Sequence, residues 1–221
     1  MHDGAVGSRV AREAPGTLSR AVVLAGCVLA VAGCGGGGGG GGPATTTLSG
    51  TAAVGAPLTG AVIEVKCRAG SGSGTSDGSG RYAISLSGAQ APCLLKAVGG
   101  GTSLVSAVAA ASGTANLTPL THLLAARLFG STLPVNAFRD AGDAVYALVT
   151  EQGIAAAQGQ VAAETVRIGA QMPAVNWVTQ SFSAATGDAM DGALELLATR
   201  YAAQNKTLEG AAAELALGPI Q

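Results

Sequence analysis

The residues of this 221-residue chain best suited to nucleophilic chemistry are a serine in a glycine-rich stretch and a histidine further along. Residues 74–78 read Gly-Thr-Ser-Asp-Gly, the spacing of hydrolases whose serine nucleophile stands on a turn from a strand into a helix. Such a serine needs a base, and His122 is the only histidine beyond residue 34. Ser76, however, stands among short strand patterns, and His122 lies off the apolar stripe of a predicted helix. We therefore expect a hairpin around Ser76 and a surface or boundary position for His122.

Two pairs of carboxylates are the other candidates for chemistry. Asp140 and Asp143 stand three residues apart, as do Asp188 and Asp191, so each pair can share one face of a helix. Such pairs can hold a divalent cation or act as acid and base. Carboxylates near helix starts are also favoured by capping and by the helix macrodipole, and no calcium-type loop surrounds these. We expect structural or solvated roles for them, with no metal or other cofactor, and core packing rather than ligand stacking for Trp177.

Two of the four cysteines, Cys67 and Cys93, fall in the part of the chain that has strand patterns. A bridge between them closes a loop of about 27 residues, which the chain-entropy model values at about 3.5 kcal/mol. The other interpretation is a redox or metal pair. A zinc site needs further Cys or His ligands, however, and His122 is the only other such residue beyond residue 34. We predict a structural disulfide whose Cα atoms lie roughly 4.4 to 6.8 Å apart.

The charge pattern argues against binding to nucleic acid. Beyond residue 33 the chain has nine Lys or Arg and eleven Asp or Glu, with no basic stripe. Nucleic-acid binding depends on clustered basic side chains that displace counterions, so we expect no nucleic-acid partner. Aromatic residues make up only 3% of the chain while alanine is abundant, which predicts a thin core of small side chains.

The first 34 residues have the order of a secretory signal peptide. Three arginines precede an uncharged apolar segment at residues 21–32, and small residues come just before Cys34. The alternative is a permanent membrane-spanning helix. The apolar segment is shorter than the roughly 20 residues that a spanning helix needs, and the glycines at 35–42 cannot extend it. We therefore predict that residues 1–33 are a signal peptide.

Residues 29–34, Leu-Ala-Val-Ala-Gly-Cys, resemble the lipobox of bacterial lipoproteins. The resemblance implies cleavage before Cys34 and a lipid on that cysteine, which would attach the protein to a membrane. Residues 34–46 would then form the lipidated, glycine-rich tether. In Gram-negative lipoproteins an aspartate after the cysteine retains the protein in the inner membrane. Gly35 stands there instead, so the resemblance implies a lipid-anchored protein of the bacterial cell envelope, at the outer membrane.

Residues 47–118 predict an antiparallel β-sandwich. Short segments that alternate apolar with polar or small residues are separated by clusters of glycine and proline, a pattern typical of such folds. The predicted strands cover residues 48–54, 60–66, 81–87, 93–98 and 103–108, and residues 70–80 are predicted as a long turn.

Two sequence features in this region resemble the carboxypeptidase regulatory-like, transthyretin-like family of β-sandwich modules. The first is Gly-Thr-Ala-Ala-Val-Gly-Ala-Pro-Leu-Thr-Gly-Ala-Val-Ile-Glu-Val at residues 50–65, and the second is the Asp77, Gly80 and Tyr82 hairpin. The resemblance covers roughly residues 48–118 and implies an accessory or binding module. In physical terms, Asp77 can bond its own turn, Gly80 can supply a positive φ, and Tyr82 can bury its ring.

The remainder of the chain has helical periodicity. Thr118 can cap a helix, Pro119 fits its first position, and Gly130 ends it. Further helical segments are predicted from Phe138 to Gly153, at residues 161–168, after Pro173, after a cap at Asp188 and after a cap at Thr207. Residues 119–221 therefore predict a small helical subdomain, and the chain as a whole is of the α+β class.

Together these patterns predict a lipid-anchored cell-envelope protein with a non-catalytic binding or scaffolding role. Its partner would be an envelope protein or a glycan. The alternative is an accessory or enzymatic factor that acts on periplasmic glycans or peptides. A single histidine and few aromatic residues count against this alternative, because neither a nucleophile with its base nor a sugar-stacking surface is evident.

Overall fold

The computed structural model describes residues 42–218, so Cys34 and the predicted signal peptide lie outside the described residues. The described part has strands followed by helices, as the α+β class requires. The strands are β1 Thr45–Thr51, β2 Val62–Ala69, β3 Ser71–Thr75, β4 Arg81–Ser87, β5 Gln90–Gly99, β6 Thr102–Val108 and β7 Gly113–Thr114. The helices are α1 Pro119–Phe129, α2 Pro134–Arg139, α3 Asp143–Leu148, α4 Glu151–Arg167, α5 Ala189–Ala203 and α6 Leu208–Leu217.

The strands form two sheets, with the orders β4-β1-β7 and β3-β2-β5-β6. Neighbouring strands are antiparallel except β1 and β7, which are parallel. This departs from the purely antiparallel sandwich that the sequence predicts. The physical reason is the path of the chain: β6 ends beside Cys93, at the end of the sandwich where β1 begins, so β7 turns back along β1 in the same direction.

Alternation of side chains across each strand fills the space between the sheets. On β2, Ile63 and Val65 are buried between half-exposed or exposed residues, and β4 buries every second residue. Strand β3 was not predicted, since its sequence Ser-Gly-Ser-Gly-Thr is typical of a turn. Its glycines are required by close approach, because a Cβ at Gly72 would lie 2.8 Å from side-chain atoms of Ile84 and Leu86.

Helix α1 confirms the predicted boundaries. The side chains and backbone N–H groups of Thr118 and Thr121 bond each other reciprocally, Pro119 is the first residue, and Gly130 follows the end. The prediction of one helix from Phe138 to Gly153 is wrong. The end of α2, the whole of α3 and the start of α4 lie there instead, because the chain breaks between Arg139 and Asp143, where Gly142 is fully extended, and again before Glu151.

The segment after Pro173 is not helical as predicted, but consists of turns. The side chain of Asn176 accepts hydrogen bonds from Val178 N at 3.0 Å and Thr179 N at 3.1 Å, a local turn that competes with a helix. The buried Asn116 then fixes the segment, since its Nδ2 donates to Trp177 O at 3.1 Å and to Gln180 O at 2.7 Å. Helices α5 and α6 have the predicted caps at Asp188 and Thr207.

Sandwich and helices pack into one compact unit. Helix α1 packs against β6 on one side and against α4 and α6 on the other, and α2 packs against β5 and β6. The apolar interior has two clusters, one within the sandwich and under α2 to α4, the other among α1, α4, α5 and α6. Among the helices of residues 42–218, none is both long and apolar enough to cross a membrane.

Candidate binding site

The predicted turn residue Asp77 bonds its own hairpin. Its Oδ1 accepts from Ser79 Oγ at 2.8 Å, Ser79 N at 2.8 Å and Arg81 N at 2.9 Å. These bonds lower the pKa of the Asp77 carboxyl, and the bond from the Ser79 hydroxyl has the largest effect. The carboxylate therefore fixes the turn between β3 and β4.

The other two turn residues join this hairpin to the rest of the sandwich. Gly80 has φ of 77°, and a Cβ there would lie 2.5 Å from Ala52 O, so the position requires glycine. Tyr82 is buried, and its hydroxyl donates to Ala115 O. Burial raises the pKa of Tyr82. Its ring thus contributes to the core while its hydroxyl links β4 to the segment after β7.

Ser76 does not stand on a nucleophile elbow. The residue is buried, its Oγ accepts from Ala61 N at 2.9 Å, and the same hydroxyl donates to Leu58 O. Strand β4 follows, where the elbow would require a helix. The hydroxyl is thus fully used in fixing the backbone of the hairpin, as expected from the sequence.

The disulfide between Cys67 and Cys93 is confirmed, but its Cα atoms are only 3.9 Å apart, below the predicted range. The two residues lie directly opposite each other on the antiparallel strands β2 and β5, where backbones are closest. On the same strand, the carbonyl of Cys67 accepts a hydrogen bond from Tyr146 Oη at 2.9 Å. Helix α3 is therefore fastened to the cross-linked pair of strands.

The carboxylate pairs have separate structural surroundings. Asp140 follows the end of α2, not the start of a helix, and pairs with Arg139 at 2.8 Å, which lowers the pKa of Asp140. Asp188 caps α5, and Asp191 is buried, which raises its pKa. Within residues 42–218, no three His, Cys, Asp or Glu side chains are grouped so that they could hold a metal ion.

His122 is buried, so the predicted surface or boundary position is wrong. Because α1 packs against the edge strand β6, the imidazole lies over the strand, and its Nδ1 accepts from Val105 N at 3.1 Å. Burial lowers the pKa of His122 to about 4, although the negative charge of Glu209 opposes the shift. The ring is therefore neutral near pH 7, and since Nδ1 is the acceptor, Nε2 carries the hydrogen.

A cavity of about 140 Å³ lies where β6, α1, α2 and α6 meet. We call it the His122 cavity. Its lining includes Ser103, His122, Leu133, Val135, Glu209 and Ala212. No described residue accepts a hydrogen bond from His122 Nε2, whereas Nδ1 is held by β6. The cavity thus combines apolar side chains with four polar ones, Ser103, His122, Asn136 and Glu209, of which His122 offers a neutral N–H donor and Glu209 a carboxylate.

The outer wall of the cavity is α2, which the sheet holds at its C-terminal end. Lys66 Nζ donates to Phe138 O at 3.1 Å and to Arg139 O at 3.2 Å, a favourable place for a cation on a helix. The ammonium groups of Lys66 and Lys96 both lie 4.9 Å from the centre of the Phe138 ring. Lys96 also pairs with Glu64 at 2.5 Å. These contacts fix the position of Leu133 and Val135.

A second cavity of about 370 Å³ adjoins α5 and the start of α6. We call it the Tyr201 cavity. Its lining includes Val54, Leu197, Tyr201, Lys206, Leu208 and Glu209. Glu209 thus borders both cavities. The hydroxyl of Tyr201 is buried and has no hydrogen-bond partner among the residues that the structure describes.

An exposed apolar surface continues from the mouth of the His122 cavity. Val62 and Val98 pair across β2 and β5 and are 48% and 46% exposed. Val98 in turn pairs with Ser103 of the cavity lining, so all three side chains share the outer face of the sheet. The sequence does not reveal this site, because the approach of Glu209 to His122 arises from packing between helices that are distant along the chain.

Comparisons of the chain with protein-family models, with curated proteins and with solved structures find no match.

Proposed function

We propose that this chain is a lipid-anchored protein of the bacterial cell envelope with a non-catalytic binding or scaffolding role. The lipobox resemblance at residues 29–34 supports a lipid on Cys34 as the membrane attachment. Two acyl chains or more give stable anchoring, so the folded part needs no membrane contact of its own. Gly35 supports an outer-membrane destination, and the balanced charge supports a partner other than nucleic acid.

The observation that carries the binding role is the His122 cavity. Its histidine has a lowered pKa of about 4 and uses Nδ1 to accept a backbone N–H, so it has no free lone pair to act as a base. What the ring offers to the cavity is a hydrogen-bond donor. Apolar walls with a few placed polar groups are typical of ligand sites.

The position of the cavity relative to the tether agrees with this role. The chain enters β1 at Thr45, and the opposite end of β1, Thr51, pairs with Arg81. The hairpin before Arg81 begins at Thr75, which pairs with Val62. Val62 in turn lies beside Val98, the neighbour of Ser103 in the cavity lining. The cavity end of the sandwich is therefore about 20 Å from the tether end, at roughly 3.3 Å per residue along β1. The cavity therefore lies at the end of the sandwich opposite to the one that the proposed tether enters.

We propose further that residues 47–118 are a transthyretin-like module of the carboxypeptidase regulatory-like kind. Two packed sheets and the roles of Asp77, Gly80 and Tyr82 in the hairpin support this proposal. Such modules resemble accessory and binding units, which agrees with the proposed role.

The alternative, a factor that acts on periplasmic glycans or peptides, gains no support from Trp177. The side chain is 1% exposed, and its Nε1 donates to Pro173 O at 3.0 Å. The indole is therefore part of the helical core, as predicted, and offers no face for a sugar ring to stack on.

Metabolic labelling with a palmitate analogue tests the anchoring. The wild-type protein is expected to incorporate the label and to fractionate with membranes, whereas Cys34→Ser is expected to remain an unlabelled precursor. Cys67→Ala with Cys93→Ala is the matched control, because it removes two cysteines without changing the lipobox. Equal labelling of wild type and Cys34→Ser would contradict the lipoprotein proposal.

Photo-crosslinking in cells tests the binding role. A photoreactive residue at Val135, at the mouth of the His122 cavity, is expected to give a discrete adduct. The same residue at Val166, an exposed apolar position on α4, is the control. Identical adduct patterns at both positions, or none at Val135, would count against the proposed function.

A further inference from the structure

We propose that the His122 cavity binds a peptide segment of a partner protein, holding one apolar side chain and the backbone amide beside it. This inference rests on the binding role proposed above and specifies the chemistry of the ligand.

The size of the cavity fits one side chain. Its volume of about 140 Å³ is close to that of the cavity of about 150 Å³ that holds benzene in an engineered protein. A group of the size of a leucine side chain or a phenyl ring therefore fills it. The walls that would contact this group are Leu133, Val135 and Ala212, all apolar.

Two of the four polar side chains that line the cavity, His122 and Glu209, match a secondary amide. His122 Nε2–H is a neutral donor and suits a carbonyl oxygen, while the Glu209 carboxylate suits an N–H group. An anionic ligand would be repelled by Glu209. A peptide bond offers the carbonyl and the N–H together, so both groups can be used by one residue of the partner and its neighbour.

The surface around the cavity favours a peptide over a sugar carrying an acetamido group. The exposed pair Val62 and Val98 lies on the same face as Ser103 and extends the apolar surface beyond the cavity. An extended peptide can place a second apolar side chain there, two residues from the first. A glycan would instead require an aromatic stacking surface, and Trp177 lies in the core.

The test uses the full-length chain in detergent and the small probe N-acetyl-leucine N-methylamide, which has the apolar side chain and the amides of a peptide. Titration followed by NMR of the His122 ring nitrogens is expected to give saturable shifts. In His122→Asn, the Asn oxygen can still accept the Val105 N–H, but the Nε2–H donor is gone. This variant is expected to bind the probe about tenfold more weakly while it remains folded.

A second pair of variants keeps the test decisive if His122→Asn fails to fold. Val135→Ser at the mouth of the cavity is expected to weaken binding of the probe about fivefold. Val166→Ser on α4 is expected to leave this binding unchanged. Absence of saturable shifts in the wild type would overturn the proposal. The same follows if an N-acetylglucosamine dimer shifts the His122 resonances more strongly than the peptide probe. Neither outcome touches lipid labelling at Cys34, so failure of this inference is distinguishable from failure of the anchoring.

Discussion

The hairpin that leads into β4 and the helical layer differ in how completely their polar side chains are used. In the sandwich, the hairpin hydroxyl of Ser76, the Asp77 carboxylate and the Tyr82 hydroxyl all bond backbone atoms, and a disulfide joins β2 to β5. In the helical layer, Tyr201 Oη and Asp191 Oδ1 are buried without a partner among residues 42–218, and the same holds for Ser106 Oγ on β6, outside the hairpin. The hairpin therefore uses its polar side chains to fix its own backbone, whereas buried polar atoms without a partner lie elsewhere in the compact unit.

The largest expected effect is on the sandwich. Replacing Cys67 and Cys93 together by alanine should lower the free energy of unfolding by about 3.5 kcal/mol, because the unfolded chain regains the entropy of a closed loop. Urea unfolding of wild type and the double variant measures this difference. Titration of the native wild type should find neither thiol free. Unchanged stability would mean that the sandwich does not depend on its cross-link.

The next effect concerns the contact between the sandwich and the helical layer. Burial lowers the pKa of His122 to about 4, against about 6.5 in the unfolded chain, so below pH 6.5 the unfolded state binds a proton that the folded state excludes. Stability should therefore fall by about 3 kcal/mol as the pH drops from 7 to 4.

The control for this pH effect is His122→Asn, because the asparagine side chain does not titrate between pH 7 and pH 4. Unfolding measured between pH 6.5 and pH 5 should decline in the wild type and stay nearly level in the variant. Parallel curves would show that the ring is not buried in its neutral form.

A smaller effect is expected at the hairpin glycines. Gly80→Ala should cost about 2 kcal/mol or more, since the residue has φ of 77° and its Cβ would meet Ala52 O. Gly78→Ala, two residues earlier, has open space around its Cβ and should change stability by less than about 0.5 kcal/mol. Thermal unfolding of the two variants side by side provides the measurement. Equal losses would contradict the hairpin geometry.

The smallest effect comes from a matched pair of tyrosines. Tyr82→Phe should lose about 1.5 kcal/mol, because Ala115 O is left buried without its donor. Tyr201→Phe removes a hydroxyl that has no described partner, so its stability should stay within about 0.5 kcal/mol of the wild type. Chemical unfolding of both variants measures the two losses. A larger loss for Tyr201→Phe would show that the helical layer uses its polar groups as fully as the hairpin does.

Features that depend on near neighbours in the sequence could be predicted. The caps at Thr118, Asp188 and Thr207 act within three residues, and the disulfide required only that two strand patterns carry one cysteine each. The two sheets followed from alternation of apolar residues. In each case the local preference and the tertiary structure agree.

Features that depend on packing could not be predicted. The sequence of β3 has the composition of a turn. It forms a strand because Gly72 and Gly74, which lack a Cβ, leave room for side chains of β4. His122 lies off the apolar stripe of its helix. It is buried because α1 packs against the edge strand, where the ring accepts the Val105 N–H. The cavity itself depends on Glu209, which lies on a helix far away along the chain.

The bond from Val105 to His122 also limits how the protein can self-associate. An edge strand normally exposes N–H and C=O groups to which a strand from another molecule can pair, which is a route to aggregation. At β6 the N–H of Val105 is already taken by the imidazole, and α1 covers the strand. A foreign strand therefore meets a helix in place of a free edge. The imidazole of His122 and helix α1 thus together protect this side of the sheet from pairing with another molecule.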